Sequence, residues 1–132
     1  MPKQKTLKEA YTECLANGQF RDKEEINIYR IKTMIQLSNT FRESAQDIQK
    51  NLAPESQKWS VVHALHYDAL RELASAFAQL DNKDIANHQC LFAYLCNKEP
   101  ELNWDFFEKA RTKRNGIEYY GCIATYADFK EM

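Results

Sequence analysis

The sequence predicts an all-α fold, an antiparallel up-and-down helical bundle of about five helices, and three observations predict it. Only three glycines and three prolines occur in 132 residues, so the chain has few places to turn. Apolar residues recur three or four positions apart over long stretches, the period of a helix with one buried face. The connections between those stretches are short, which favours antiparallel neighbours.

The first helix opens at "TLKE", where Thr6 and Glu9 have capping-box spacing, and it should stop near "ANG", with Gly18 in the left-handed conformation. From about Glu24 to Leu52 a second, long amphipathic helix carries Ile28, Ile31, Ile35, Phe41, Ala45, Ile48 and Leu52. Pro54 ends it, because proline disfavours helix at the residue before it and lacks an amide donor. A third helix runs from about Ser56 to Leu80, with Trp59, Val62, His66, Ala69, Leu73, Ala76 and Leu80 in one stripe. Leu65, Leu70 and Phe77 widen that stripe, which implies contacts on more than one side. A shorter helix follows, about Ile85 to Cys96, and Asn103 caps a fifth that ends near Gly121. The tail "ATYADFKEM" adds a final turn or two.

Length makes residues 1–132 one domain, and 44% hydrophobic residues supply a core. A net charge of −1 leaves no global field to draw the protein to nucleic acid or an anionic membrane, so any such contact must be a local patch. No long apolar run is present, so neither a membrane span nor an export signal is expected. The four cysteines, Cys14, Cys90, Cys96 and Cys122, form no CxxC pair. They read as reduced thiols of a cytoplasmic protein, with Cys90 and Cys96 facing the core.

Candidate chemistry is sparse. His63 and His66 share a helix face, and a metal site there would have to recruit Cys90, His88 or Glu72; packed or surface histidines are the simpler reading, and neither metal nor cofactor is expected. A catalytic cysteine is not expected either, since Cys90 and Cys96 lie in an apolar helix. The P-loop, GxGxxG and HExxH signatures are absent. What remains is "RTKRNGIEYYG", Arg111 to Gly121, which sets arginines and lysines beside tyrosines and accepts Asn115 and Gly116 inside a helix that neither favours. Arginine suits phosphate and an aromatic ring suits a base, so Arg111, Lys113, Arg114, Asn115, Tyr119 and Tyr120 are the candidate nucleotide- or RNA-binding residues. The same residues are also compatible with favourable charges near a helix end and ordinary packing.

Two segments, "HYDALRELASAFAQLDNKDIANHQCLFAYL" (His66 to Leu95) and "FFEKARTKRNGIEYYG" (Phe106 to Gly121), together resemble the HEPN superfamily of small helical-bundle proteins. The family signature is an arginine, usually followed by a polar residue such as Asn, and a histidine further on. Arg114 and Asn115 match its first half; the histidine would fall at position 119, 120 or 121, where this chain has Tyr119, Tyr120 and Gly121. The resemblance implies a homodimer with a shared basic groove and, in active members, metal-independent RNA cleavage by the signature residues. Those positions here are Arg114, Asn115 and Tyr119. A tyrosine with a pKa of about 10 is a poor proton carrier at neutral pH compared with a histidine at about 6.5, so the expected function is nucleotide or RNA binding without the usual ribonuclease activity. Two alternatives stand beside it. One is an endoribonuclease in which Arg114 binds phosphate and Tyr119, Glu118 or a partner residue moves the proton. The other is a toxin-antitoxin type interaction with a small nucleotidyltransferase.

Overall fold

The structure, a computed structural model, describes residues 4–119, and it is an all-α bundle. Five helices follow in order: α1 (Leu7–Ala16), α2 (Ile28–Gln49), α3 (Trp59–Leu80), α4 (His88–Lys98) and α5 (Trp104–Tyr119). Two short strands, β1 (Arg21–Asp22) and β2 (Lys83–Asp84), pair antiparallel with Arg21 opposite Asp84. This small ribbon is a departure from the purely helical expectation. It is built from the two connections that precede α2 and α4, and Lys23 strengthens it by donating from its backbone N–H to the Asn82 carbonyl at 2.7 Å and from Nζ to Gln79 Oε1 at 2.6 Å.

The caps explain where the helices begin. Thr6 accepts from the Glu9 N–H while the Glu9 carboxylate accepts from the Thr6 N–H, the reciprocal pair of a capping box. Gly18 has φ +64°, the left-handed turn expected after α1. Asn27 caps α2 through the Arg30 N–H, and Asn87 caps α4 through the Cys90 N–H, so each helix starts about three residues later than hydrophobic spacing suggests. At the start of α3, residues 54–58 form turns, and Trp59 Nε1 donates to the Ala53 carbonyl at 2.9 Å, pinning the α2–α3 hairpin.

Small buried residues let α2 and α3 lie close: Ser38 and Ala45 of α2 and Ala69 of α3 are buried, and the Ser38 hydroxyl donates to the Ala69 carbonyl at 2.6 Å. The main core forms around α4, where Leu91, Phe92, Ala93 and Cys96 are almost wholly buried. The Phe92 ring lies 5.0 Å from Phe107 of α5 and meets Tyr67 of α3 edge-on at 5.9 Å. Burial of this kind stabilises by about 2–3 kcal/mol per large side chain. The predicted α3 stripe divides: Trp59, Val62, Ala69 and Ala76 are buried, whereas Leu73 and Leu80 are each 50% exposed and leave an open apolar face. Among the described residues no helix is long and apolar enough to cross a membrane.

The cysteine expectation is corrected. Cys14 of α1 and Cys90 of α4 form a disulfide across 76 residues, their Cα atoms 5.7 Å apart, while Cys96 is a buried thiol whose pKa burial pushes up to about 11. α1 packs on α4, and that tertiary pairing is what brings the two sulfurs within reach. Cys122 lies outside the described residues.

His66 shows how α3 is tied to the end of α2. Its Nε2 donates to Gln49 Oε1 at 2.8 Å, and burial, followed by the charge of Arg42, holds its pKa below the ordinary value. The unfolded chain then takes up a proton before the folded one does. Stability is therefore fully present above about pH 6.5 and declines as pH falls from there through the lowered folded pKa. Urea midpoints measured from about pH 7.5 to 5 should decline over that window, and His66→Gln should flatten the decline. For the disulfide, chain entropy over a loop of this length corresponds to about 4 kcal/mol. Wild type in dithiothreitol and the Cys14→Ala/Cys90→Ala double variant should both lose most of that amount in urea unfolding; unchanged unfolding under reductant would show that the bridge contributes nothing.

Candidate nucleotide-binding site

The site is built where α5 leans on α3 and the first turn of α4. Glu108 of α5 is 4% exposed, so its carboxylate needs donors from the protein. Arg111, one turn on, supplies two: its Nε donates to Oε1 at 3.0 Å and Nη2 to Oε2 at 3.0 Å. Gln89 of α4 adds a third, Nε2 to Oε2 at 3.0 Å. Hydrogen bonding to Glu108 raises the Arg111 pKa further, so this guanidinium is permanently charged, held in one orientation and largely compensated. Two of its five N–H donors are used in that pairing.

Arg114 lies three residues beyond, on the same side of α5, with Nε 3.8 Å from Asp68 Oδ1 of α3. Both side chains are about four-fifths buried. Tyr67, next to Asp68, is buried and its hydroxyl sits 3.0 Å from His88 Nδ1 at the start of α4. Burial pushes the Tyr67 pKa up to about 12, against the opposing influence of the positive charges of Arg111, Arg71 and Arg114. Tyr67 is thus protonated at neutral pH. When it donates to Nδ1, the imidazole's own proton sits on Nε2.

The expected residues divide accordingly. Arg111 and Arg114 are brought to one place; Lys113, Asn115 and Gly116 follow on α5, each half-buried. Tyr119 closes the described part of α5 as a backbone position, and the Tyr119 and Glu118 side chains, with Tyr120 and Gly121, lie outside the described residues. His63 is buried on α3, and His66 faces Gln49. Among the described residues no group of three or more His, Cys, Asp or Glu side chains could hold a metal ion.

Sequence spacing missed Tyr67, Asp68, Arg71, His88, Gln89 and Glu108. One of them was legible, since Glu108 and Arg111 stand at i,i+3, the spacing of facing side chains on a helix. The rest depend on which helices pack together. His88 is the one with chemical weight, because it brings an imidazole from α4 to Tyr67 of α3, whereas the resemblance looks for one on α5. Compared with protein-family models, with curated proteins and with solved structures, the chain matches none.

The Glu108 pairing yields a direct expectation. Glu108→Gln keeps the shape but replaces a charge-assisted fork with a neutral acceptor beside a mostly buried guanidinium, which should cost about 2 kcal/mol. Urea unfolding checks it. Glu108→Gln combined with Arg111→Met should recover part of the loss, because no unpaired charge is left.

Proposed function

We propose that the chain is a HEPN-like module, working as a homodimer, that binds the phosphate of a nucleotide or of single-stranded RNA at the α3–α5 face. The observation that carries this reading is that Arg111 and Arg114 stand three residues apart on α5, with Arg114 3.8 Å from Asp68 of α3, the residue that follows the buried Tyr67 of the Tyr67–His88 pair. Guanidiniums give phosphate its preferred bidentate donors, and these come from helices, so they are positioned before a ligand arrives. Their carboxylate partners, Glu108, Asp68 and Glu72, keep the charges in place without ligand. An incoming phosphate competes with Asp68 for Arg114, whose Nε stands 3.8 Å from that carboxylate.

Binding is favoured over cleavage. The signature position that would hold histidine is occupied by tyrosine, and Tyr67, with its pKa near 12, is no proton carrier at neutral pH. A second reading, metal-independent RNA cleavage, is favoured by one observation: the His88 imidazole is hydrogen-bonded at 3.0 Å to Tyr67, next to the Asp68 that Arg114 approaches. Partnership with a nucleotidyltransferase is the third reading and needs none of these groups.

Labelled single-stranded RNA, incubated at low salt without metal, separates them. Polarisation should report binding that Arg114→Ala weakens at least tenfold. Three phosphate contacts should give a slope of about −2 in log affinity against log salt. No affinity at low salt overturns the binding reading. Cleavage lost in both Arg114→Ala and His88→Ala would transfer the assignment to the endoribonuclease.

A further inference from the structure

We propose that the open apolar face of α3 is a docking groove for an amphipathic helix of another protein, one that carries lysines or arginines along its flank. This surface is separate from the arginine cluster. Along α3 the residues Leu70, Leu73, Phe77 and Leu80 repeat at three, four and three, a spacing that keeps all four on one side. Leu73 and Leu80 are each 50% exposed, and Ile35 of α2 and Leu102 of the α4–α5 connection, at 39% and 37%, line the same groove. Leu95 and Phe107 help form the floor of a cavity of about 520 Å³.

The dimensions favour a helix. Leu70 to Leu80 spans about 15 Å at the rise of an α-helix, room for anchors at i, i+3 or i+4, and i+7 of a partner. The rim then selects the partner's charge. Among the described residues Glu99 and Glu101 are the ionisable ones lining the groove, and the neighbouring Lys98 is committed to Asp81 in an ion pair. A fatty acid or an anionic lipid surface would bring negative charge to that rim. A second copy docked groove to groove would set the same two carboxylates against themselves, because a two-fold contact uses one patch twice. A helix with a basic flank meets the carboxylates with opposite charge, so apolar burial and electrostatics act together.

The test uses a labelled 18-residue model helix with leucines at i, i+3, i+7 and i+10 and lysines on both flanks, compared with the same peptide carrying glutamates in place of the lysines. Polarisation should show the lysine peptide binding at least tenfold tighter, with that preference shrinking as salt rises. Leu73→Asp should abolish binding while the helical circular dichroism is retained; Leu80→Asp serves the same purpose if the first variant unfolds. Glu99→Lys with Glu101→Lys should invert the preference between the peptides. Equal binding of the two peptides, or binding of neither, overturns the proposal. So does a wild-type dimer in sedimentation that Leu73→Asp converts to monomer, because the occupant would then be a second copy.

Discussion

A carboxylate that is 4% exposed has little water to solvate it, so the fold around Glu108 is obliged to supply donors. Arg111 and Gln89 do so, and each draws in something else. Arg111 is on the same helix, which fixes the rotamer of one guanidinium at the centre of the arginine cluster. Gln89 is on α4, so the hydrogen bond also sets how α5 lies over α4. The Phe92–Phe107 contact, with ring centres 5.0 Å apart, packs in the same helix pair. Remove the carboxylate and the apolar contact remains, but the guanidinium loses its orientation. The polar pair contributes specificity where the aromatic pair contributes burial.

Compensation is the central electrostatic feature of this face. Arg111 answers Glu108, Arg114 approaches Asp68, and Arg71 pairs with Glu72 at 3.1 Å. With a net charge of −1, the chain has no surplus of positive field, and an unpaired cluster of three arginines would repel itself. Pairing each with a carboxylate allows them to coexist. Arg111 is held in one orientation by two 3.0 Å bonds that converge on a buried acceptor.

Much of the helix order was legible because the signals are local. Thr6 with Glu9 and Gly18 act within a few residues, and each acts in the structure as its chemistry requires, whereas α2 ends at Gln49, earlier than Pro54 demands, with Asn51 in the left-handed region. Asn27 and Asn87 were equally local yet lost to hydrophobic periodicity, which extends a helix past its cap whenever Ile or Leu lies just upstream. The Cys14–Cys90 bridge was illegible for a different reason: a pairing across 76 residues depends on α1 packing on α4, and spacing carries no information about that. The same holds for the site. Arg111 and Arg114 stood out by composition, whereas Tyr67 and His88 belong to it only because α3, α4 and α5 meet there.

The first turn of α4 is where those tertiary facts concentrate. His88 reaches Tyr67 on α3, Gln89 reaches Glu108 on α5, and Cys90 is bonded to Cys14 on α1. Successive helix residues are about 100° apart, so three in a row sweep about 200° of the circumference, enough to touch helices on opposite sides. A helix used this way cannot present a single apolar stripe, and α4 indeed buries Leu91, Phe92, Ala93 and Cys96 in consecutive or nearly consecutive positions. Its N-terminal turn is also held by the Asn87 cap, so the three side chains move as one unit with the backbone. A disturbance at α1 that shifts Cys90 therefore shifts the residues beside it that orient Glu108 and Tyr67. The covalent bridge and the arginine cluster share a single helical turn, and the geometry of one constrains the other.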